Sequence, residues 1–321
     1  MIRVRPVTPA DATGRDTARR PGDRKTVRPP SYLDRLLSEL GAMESGHLEI
    51  VEASAIRYIN PNRHNSGVFV VGAADWGWAP SDAALEARRM AALRRLRDWM
   101  PRFRLLFPDP TPEVTKRLKK DLGHLERWLV RDGRYDHSIP DDVAKAAQLL
   151  QQTVERIRSM RTLLPADPWA VRLVVDTNAV LDTPDLAVYR PQIGNQYMAH
   201  LLPVVLRELD DHKRAGRSPE LREAAKRADR RLKALRDNGD VLVGARVAGE
   251  VYAVFEHIEP NPVGLPSWLD LAVPDDRFVA STLRLQSGHP GSALYVATSD
   301  LNLQTKLAAV SLPFVEPPTD T

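Results

Sequence analysis

The sequence predicts an α/β protein: a mainly helical first half, then an open parallel sheet with helices on both faces. Three observations predict it. Long stretches with apolar residues at helical spacing fill residues 31–163. From Leu173 the rhythm changes to short apolar runs separated by helical segments, the pattern of parallel strands joined by crossover helices. Acidic residues then sit where those runs end, as in Val174-Val175-Asp176.

At 321 residues the chain is long enough for two domains at roughly 150 residues each. Its 43% hydrophobic content is ample for a core. There is no cysteine, which excludes disulfide scaffolds, thiolate zinc sites and cysteine nucleophiles and fits a reducing cytoplasm. No apolar run reaches the length of a membrane span, and the first residues lack a signal-peptide core. The net charge of +4 is uneven: residues 1–165 carry +8 and the remainder −4. A basic half beside an acidic half suits an enzyme that grips phosphate with one part and holds metal with the other; solvated basic helix faces would give the same count.

Residues 1–30, rich in Arg, Pro, Asp and Thr, read as a disordered basic tail. Ser31 is an N-cap for a helix that Gly41 should end. Short strands are expected within 48–59 and 67–73. Helices follow over 81–107, 112–130 and 141–164, and 164–170 reads as a linker. The first two of these helices carry basic stretches from Arg88 to Arg104, with Arg94, Arg95 and Arg97 among them, and from Lys116 to Lys120, candidates for phosphate contact. Trp76, Trp78, Trp99 and Trp128 are better read as core than as base-stacking platforms. The sheet half, 171–321, should hold strands at 173–175, 199–202, 240–243, 251–257, 294–296 and 313–315. Helices are expected over 203–213, 218–236, 275–285 and 301–310.

In such a sheet, ligands bind beyond the carboxyl ends of the strands. Asp176 and Asp300 sit at strand ends, Asp276 in the first turn of a helix, and Glu208 about one and a half turns into another. Carboxylates converging on one rim repel, so they either hold protons or bind cations. Oxygen donors without His or Cys select hard ions such as Mg²⁺ or Mn²⁺, and such ions support in-line hydrolysis of phosphodiesters.

Four segments carry a resemblance in register: LVVDTN at 173–178, LPVVLRELDDHK at 202–213, PDDRFVAST at 274–282 and VATSDLNL at 296–303. They resemble, in order, the four motifs of PIN-domain nucleases. The second is similar to bacterial PIN domains of the kind associated with PhoH-type ATPases. The resemblance covers about 170–318. It implies strand order 3-2-1-4-5, Mg²⁺- or Mn²⁺-dependent cleavage, and single-stranded RNA as the usual substrate. Carried over residue by residue, the catalytic and metal-holding acids are Asp176, Glu208, Asp276 and Asp300, steadied by Asn178, Thr298 and Asn302. Of the adjacent aspartates, Asp276 has the family spacing to Val279, and Asp275 should face solvent or cap the helix. Lys213, Arg222 and Arg227 join the candidates for nucleic-acid contact.

The expected activity is therefore a metal-dependent endoribonuclease, in a toxin-like, RNA-processing or defence role. A homo-oligomer or a regulatory protein is a further expected partner. The alternative is a catalytically silent scaffold binding RNA or a protein. A haloacid-dehalogenase-like phosphatase needs a second aspartate where Asn178 stands. No Gly-rich lysine loop or GxGxxG supports a nucleotide-binding fold.

Overall fold

The computed structural model describes residues 29–59, 75–132 and 136–318. The first half holds α1 (Tyr32–Glu52), a hairpin of β1 (Ile56–Ile59) and β2 (Asp75–Trp78), and then α2 (Ala83–Leu105), α3 (Pro112–Val130) and α4 (Val143–Ser159). Ser31 and Asp34 form a reciprocal capping box that starts α1. Gly41 does not end this helix. Buried His47, Ile50 and Val51 continue its inner face, and their packing outweighs the roughly 1 kcal/mol helix penalty of one glycine. The strand expected over 48–59 is thus helix to Glu52 and strand only over 56–59. The expected strand at 67–73 and nearly all of the tail at 1–30 lie outside the described residues.

The second half alternates as its sequence suggests. It runs β3 (Val171–Val175), α5 (Thr177–Asp182), α6 (Arg190–Ile193), β4 (Gln196–Leu201), α7 (Pro203–Ala215), α8 (Pro219–Lys233), β5 (Ala245–Ala248), β6 (Glu250–Phe255), α9 (Pro274–Gly288), β7 (Ala293–Ala297), α10 (Leu301–Ala309) and β8 (Phe314–Val315). The sheet order is β5-β6-β4-β3-β7-β8. All neighbours are parallel except β5 with β6. Without β5, the strands stand in the 3-2-1-4-5 order that the resemblance implies.

Residues 240–243 are a turn rather than a strand. Val243 and Gly244 both donate to the Asp240 carbonyl, Leu242 and Val243 are exposed, and Gly244 has φ 145°, which only glycine adopts readily. The edge strand starts one residue later, at Ala245.

The two halves share one hydrophobic core running from Tyr32 to Leu312. Trp99 and Trp128 are buried in it, as expected. The Tyr32 hydroxyl donates to Val310 O at 3.2 Å, and Tyr32 N donates to Ser292 O at 3.1 Å. Arg102 bridges Glu39 at 2.6 Å and Ser311 at 3.0 Å. The 164–170 segment is pinned as well: Asp167 pairs with Arg172 at 2.8 Å and with His289 at 3.0 Å. Among the described residues, no helix is long and apolar enough to cross a membrane.

Candidate functional site

Sheet order reverses at β3, with β4 on one side and β7 on the other. Asp176 follows β3 at that switch point, where open α/β sheets form their crevices. Its backbone N–H donates to Ala297 O at the end of β7, and its carboxylate caps α5, accepting from Ala179 N at 2.5 Å. Asp176 is buried. Burial pushes its carboxyl above the ordinary value, and Asp300 and Asp182 add to this; the Thr298 hydroxyl and the Ala179 amide oppose it. Thr298 therefore steadies Asp176, and its hydroxyl also accepts from Asp300 N at 3.1 Å. Asp300 is exposed and caps α10, accepting from Leu303 N at 3.0 Å.

Glu208 lies on α7 and is half-buried. Thr177, the residue after Asp176, donates its hydroxyl to Glu208 Oε2, which connects the first and second motifs. The third motif is arranged differently. Asp276 is buried in the first turn of α9 and accepts from Asp270 N at 2.9 Å. Lys306 Nζ, on α10, lies 2.8 Å from Asp276 Oδ1, an ion contact off the line of a well-aligned hydrogen bond. Burial alone would raise the Asp276 carboxyl; Lys306 and the Asp270 amide outweigh it and hold it below the ordinary value. Asp275 does not cap the helix, and its side chain keeps 38% of its surface in solvent. It accepts from Asn302 Nδ2 at 2.8 Å and lies 3.3 Å from Lys306, and the N-cap is Val273.

The polar and basic candidates divide. Thr298 contacts Asp176, Asn302 contacts Asp275, and Asn178 is exposed beside a shallow pocket that Asp182 and Arg227 also line. Lys213 is engaged by Asp210 and Asp229, and Arg222 donates to Gly216 O. Arg97 pairs with Glu126. Arg95 lines a small pocket beside His47, and Arg94 is exposed.

Sequence reasoning missed several groups. Lys306 stands 30 residues from Asp276 in sequence, so the acids had looked uncompensated. Asp182, one turn and a half along α5 from Asp176, was not singled out. Glu259 accepts from Arg207 and Arg277, each at 2.5 Å; these arginines adjoin Glu208 and Asp276, so Glu259 ties two acid-bearing helices together. Across β3, β4 and the end of β6 a chain of side chains runs from Arg172 to His200 at 3.0 Å and on to Glu256 at 2.7 Å. Arginine only donates, so His200 Nε2 accepts from Arg172 and its Nδ1–H donates to Glu256. The only signal for this chain was one histidine inside an apolar strand.

The donor chemistry fits a hard divalent cation. Asp176 is a buried carboxylate whose charge is disfavoured beside Asp300 and Asp182, and a cation would relieve that. The acids are not gathered in advance: among the described residues, no group of three or more His, Asp or Glu is close enough to hold a metal. Thr177 and Lys306 each occupy one of the carboxylates a cation would need. Residues 173–315 match the family model of the PIN domain, a nuclease family whose members typically use divalent metal ions. No curated protein matches the chain.

Proposed function

We propose, from the match of residues 173–315 to the PIN-domain family model, that this protein is a metal-dependent endonuclease that cleaves single-stranded RNA. The carrying observation is the buried Asp176 at the sheet's switch point, flanked by Asp300 and joined through Thr177 to Glu208. Asp176, Glu208, Asp276 and Asp300 would hold Mg²⁺ or Mn²⁺, oxygen donors suited to a hard ion. When bound, the ion supplies the Lewis acidity that ionises water and offsets charge on a non-bridging phosphate oxygen. Thr298 orients the Asp176 carboxylate, and Asn302 fixes Asp275, the neighbour of Asp276 in the third motif. Asp176 and Asp300 follow the ends of β3 and β7, and Glu208 accepts from Thr177 next to Asp176; both observations support an acidic rim open to an extended single strand.

The test is cleavage of single-stranded RNA, a folded tRNA and single-stranded DNA with Mg²⁺, Mn²⁺ or excess EDTA. Hydrolysis should need the metal, prefer single-stranded RNA and leave 5′-phosphate and 3′-hydroxyl ends, because water rather than the neighbouring 2′-hydroxyl attacks. Cleavage that persists in EDTA and leaves 2′,3′-cyclic phosphate would defeat the proposal. RNA binding without any cleavage would favour the silent scaffold.

A further inference from the structure

One roomy concavity lies away from the acids. It is a cleft of about 930 Å³ between the α2–α3 elbow and the segment 257–264 that follows β6. Three cations from three elements line it: Arg104 from α2, Lys119 from α3 and Arg284 from α9. Among the described residues, Arg104 and Lys119 make no side-chain hydrogen bond or ion pair. Arg284 donates only to the neutral oxygens of Asn261 and Val263, at 2.7 Å each. Of the two acids on the wall, Asp109 and Glu259, Glu259 is neutralised by Arg207 and Arg277. The cleft therefore carries uncompensated positive charge. Phe107 adds an aromatic ring to its wall.

The cleft is also joined to the acidic rim. Glu259 forms part of its wall and is bonded to the residues adjoining Glu208 and Asp276. We propose that this cleft is the track for the phosphodiester backbone of single-stranded nucleic acid, leading the strand from the helical half to the acids. A groove that pairs phosphates with cations and offers an aromatic face to a base is how single strands are held without sequence preference. The proposal rests on the nuclease reading for the identity of the polyanion. It assigns Arg104, Lys119 and Arg284 to binding: the first two lie in the basic stretches that the sequence offers for phosphate contact, and Arg284, on α9, joins them only in the fold.

The experiment is fluorescence anisotropy of the full chain with a labelled single-stranded RNA in EDTA, so that binding is read without cleavage. Each phosphate contact to a single strand contributes about 0.7 to the slope of log affinity against log salt, or about fivefold at 0.1 M salt. Replacing Arg104, Lys119 and Arg284 together with Gln should lower the slope by about 2 and weaken binding about 100-fold. Lys145→Gln, on α4 and already paired with Asp141 and Asp142, should change neither. Because Arg284 also props the 261–263 segment, Lys119→Glu alone is the second variant; its side chain is exposed and bonded to nothing described, and it should weaken binding by fivefold or more. Unchanged affinity and slope in both variants would overturn the cleft whether or not the protein cuts RNA. Loss of binding in both, with no hydrolysis by the parent chain under Mg²⁺ or Mn²⁺, would support the cleft and defeat the nuclease reading instead.

Discussion

Lys306 Nζ stands 2.8 Å from Asp276 Oδ1, so the third acidic motif already holds a positive charge supplied by the chain itself. The pair is largely shielded from water, with side-chain exposures of 19% and 10%. Its loss should therefore fall between the limits for exposed and buried ion pairs, about 1–3 kcal/mol. Lys306→Met is expected to melt earlier than the parent in EDTA. Added Mn²⁺ should then raise its melting temperature more than the parent's, because no ammonium competes for Asp276. An equal Mn²⁺ shift in both proteins would show that the lysine does not compete with the cation.

Asp176→Asn keeps the side-chain shape and removes the charge. Cleavage should be abolished while the circular dichroism spectrum is unchanged. Because burial, Asp300 and Asp182 hold the Asp176 carboxyl above its ordinary value, its anion is destabilising at neutral pH, and the variant should melt higher than the metal-free parent. That gain should shrink as pH falls and the parent carboxyl takes up its proton. A lower melting temperature at pH 7 would refute the reading of this group. Asp275→Asn should impair cleavage less than Asp276→Asn, whose carboxylate is buried and doubly engaged.

Acid should destabilise the fold through buried histidines. Burial lowers His200 to about 4, with Arg172 reinforcing and Glu256 opposing, and lowers His47 to about 3. In both cases the folded chain refuses a proton that the unfolded chain accepts. Their contribution is complete above about pH 6.5 and is lost as pH falls through 6.5 toward 4 and 3. At pH 5 the loss is about 2 kcal/mol for each histidine. Urea titrations at pH 7.5 and 5 measure it, and His47→Met should flatten the difference. A pH dependence that is the same in parent and variant would remove His47 from the account.

Tyr32→Phe deletes one hydroxyl from a buried site and leaves the Val310 carbonyl without that donor. The expected cost is about 1–2 kcal/mol, read as a lower urea midpoint with an unchanged slope. A cost near zero would mean that water replaces the bond.

The strands that position the site were the most legible part of the sequence. β3 and β7 are short apolar runs with an acid or a threonine at the end, and their burial is nearly complete. Errors fell where local signals competed with packing. Gly41 looked like a helix stop, but the inner face of α1 continues past it. Asp240-Val-Leu-Val243 has strand composition, yet its apolar side chains face water at a glycine turn. The six-residue α5 was too short to show a period. Of the four acids, the positions of Asp176 and Asp300 could be read from strand ends. The partners of Asp275 and Asp276 could not, because Asn302 and Lys306 reach them from another helix. The basic cleft was half legible: Arg104 and Lys119 lie in basic stretches of the sequence, but Arg284 meets them from a helix far along the chain.

The hydrogen bonds from Tyr32 to Ser292 and Val310, and the Arg102 bridge from Glu39 to Ser311, have a consequence for inheritance. The sheet half is not a cassette that can be transplanted alone, because its underside is completed by side chains encoded hundreds of bases upstream. A substitution near residues 290–312 must be tolerated by α1 and α2 as well as by the sheet, and the reverse holds for changes around Tyr32. The two halves are constrained to diverge together, and a chimera joined at the 164–170 segment should fail unless both sides come from the same parent.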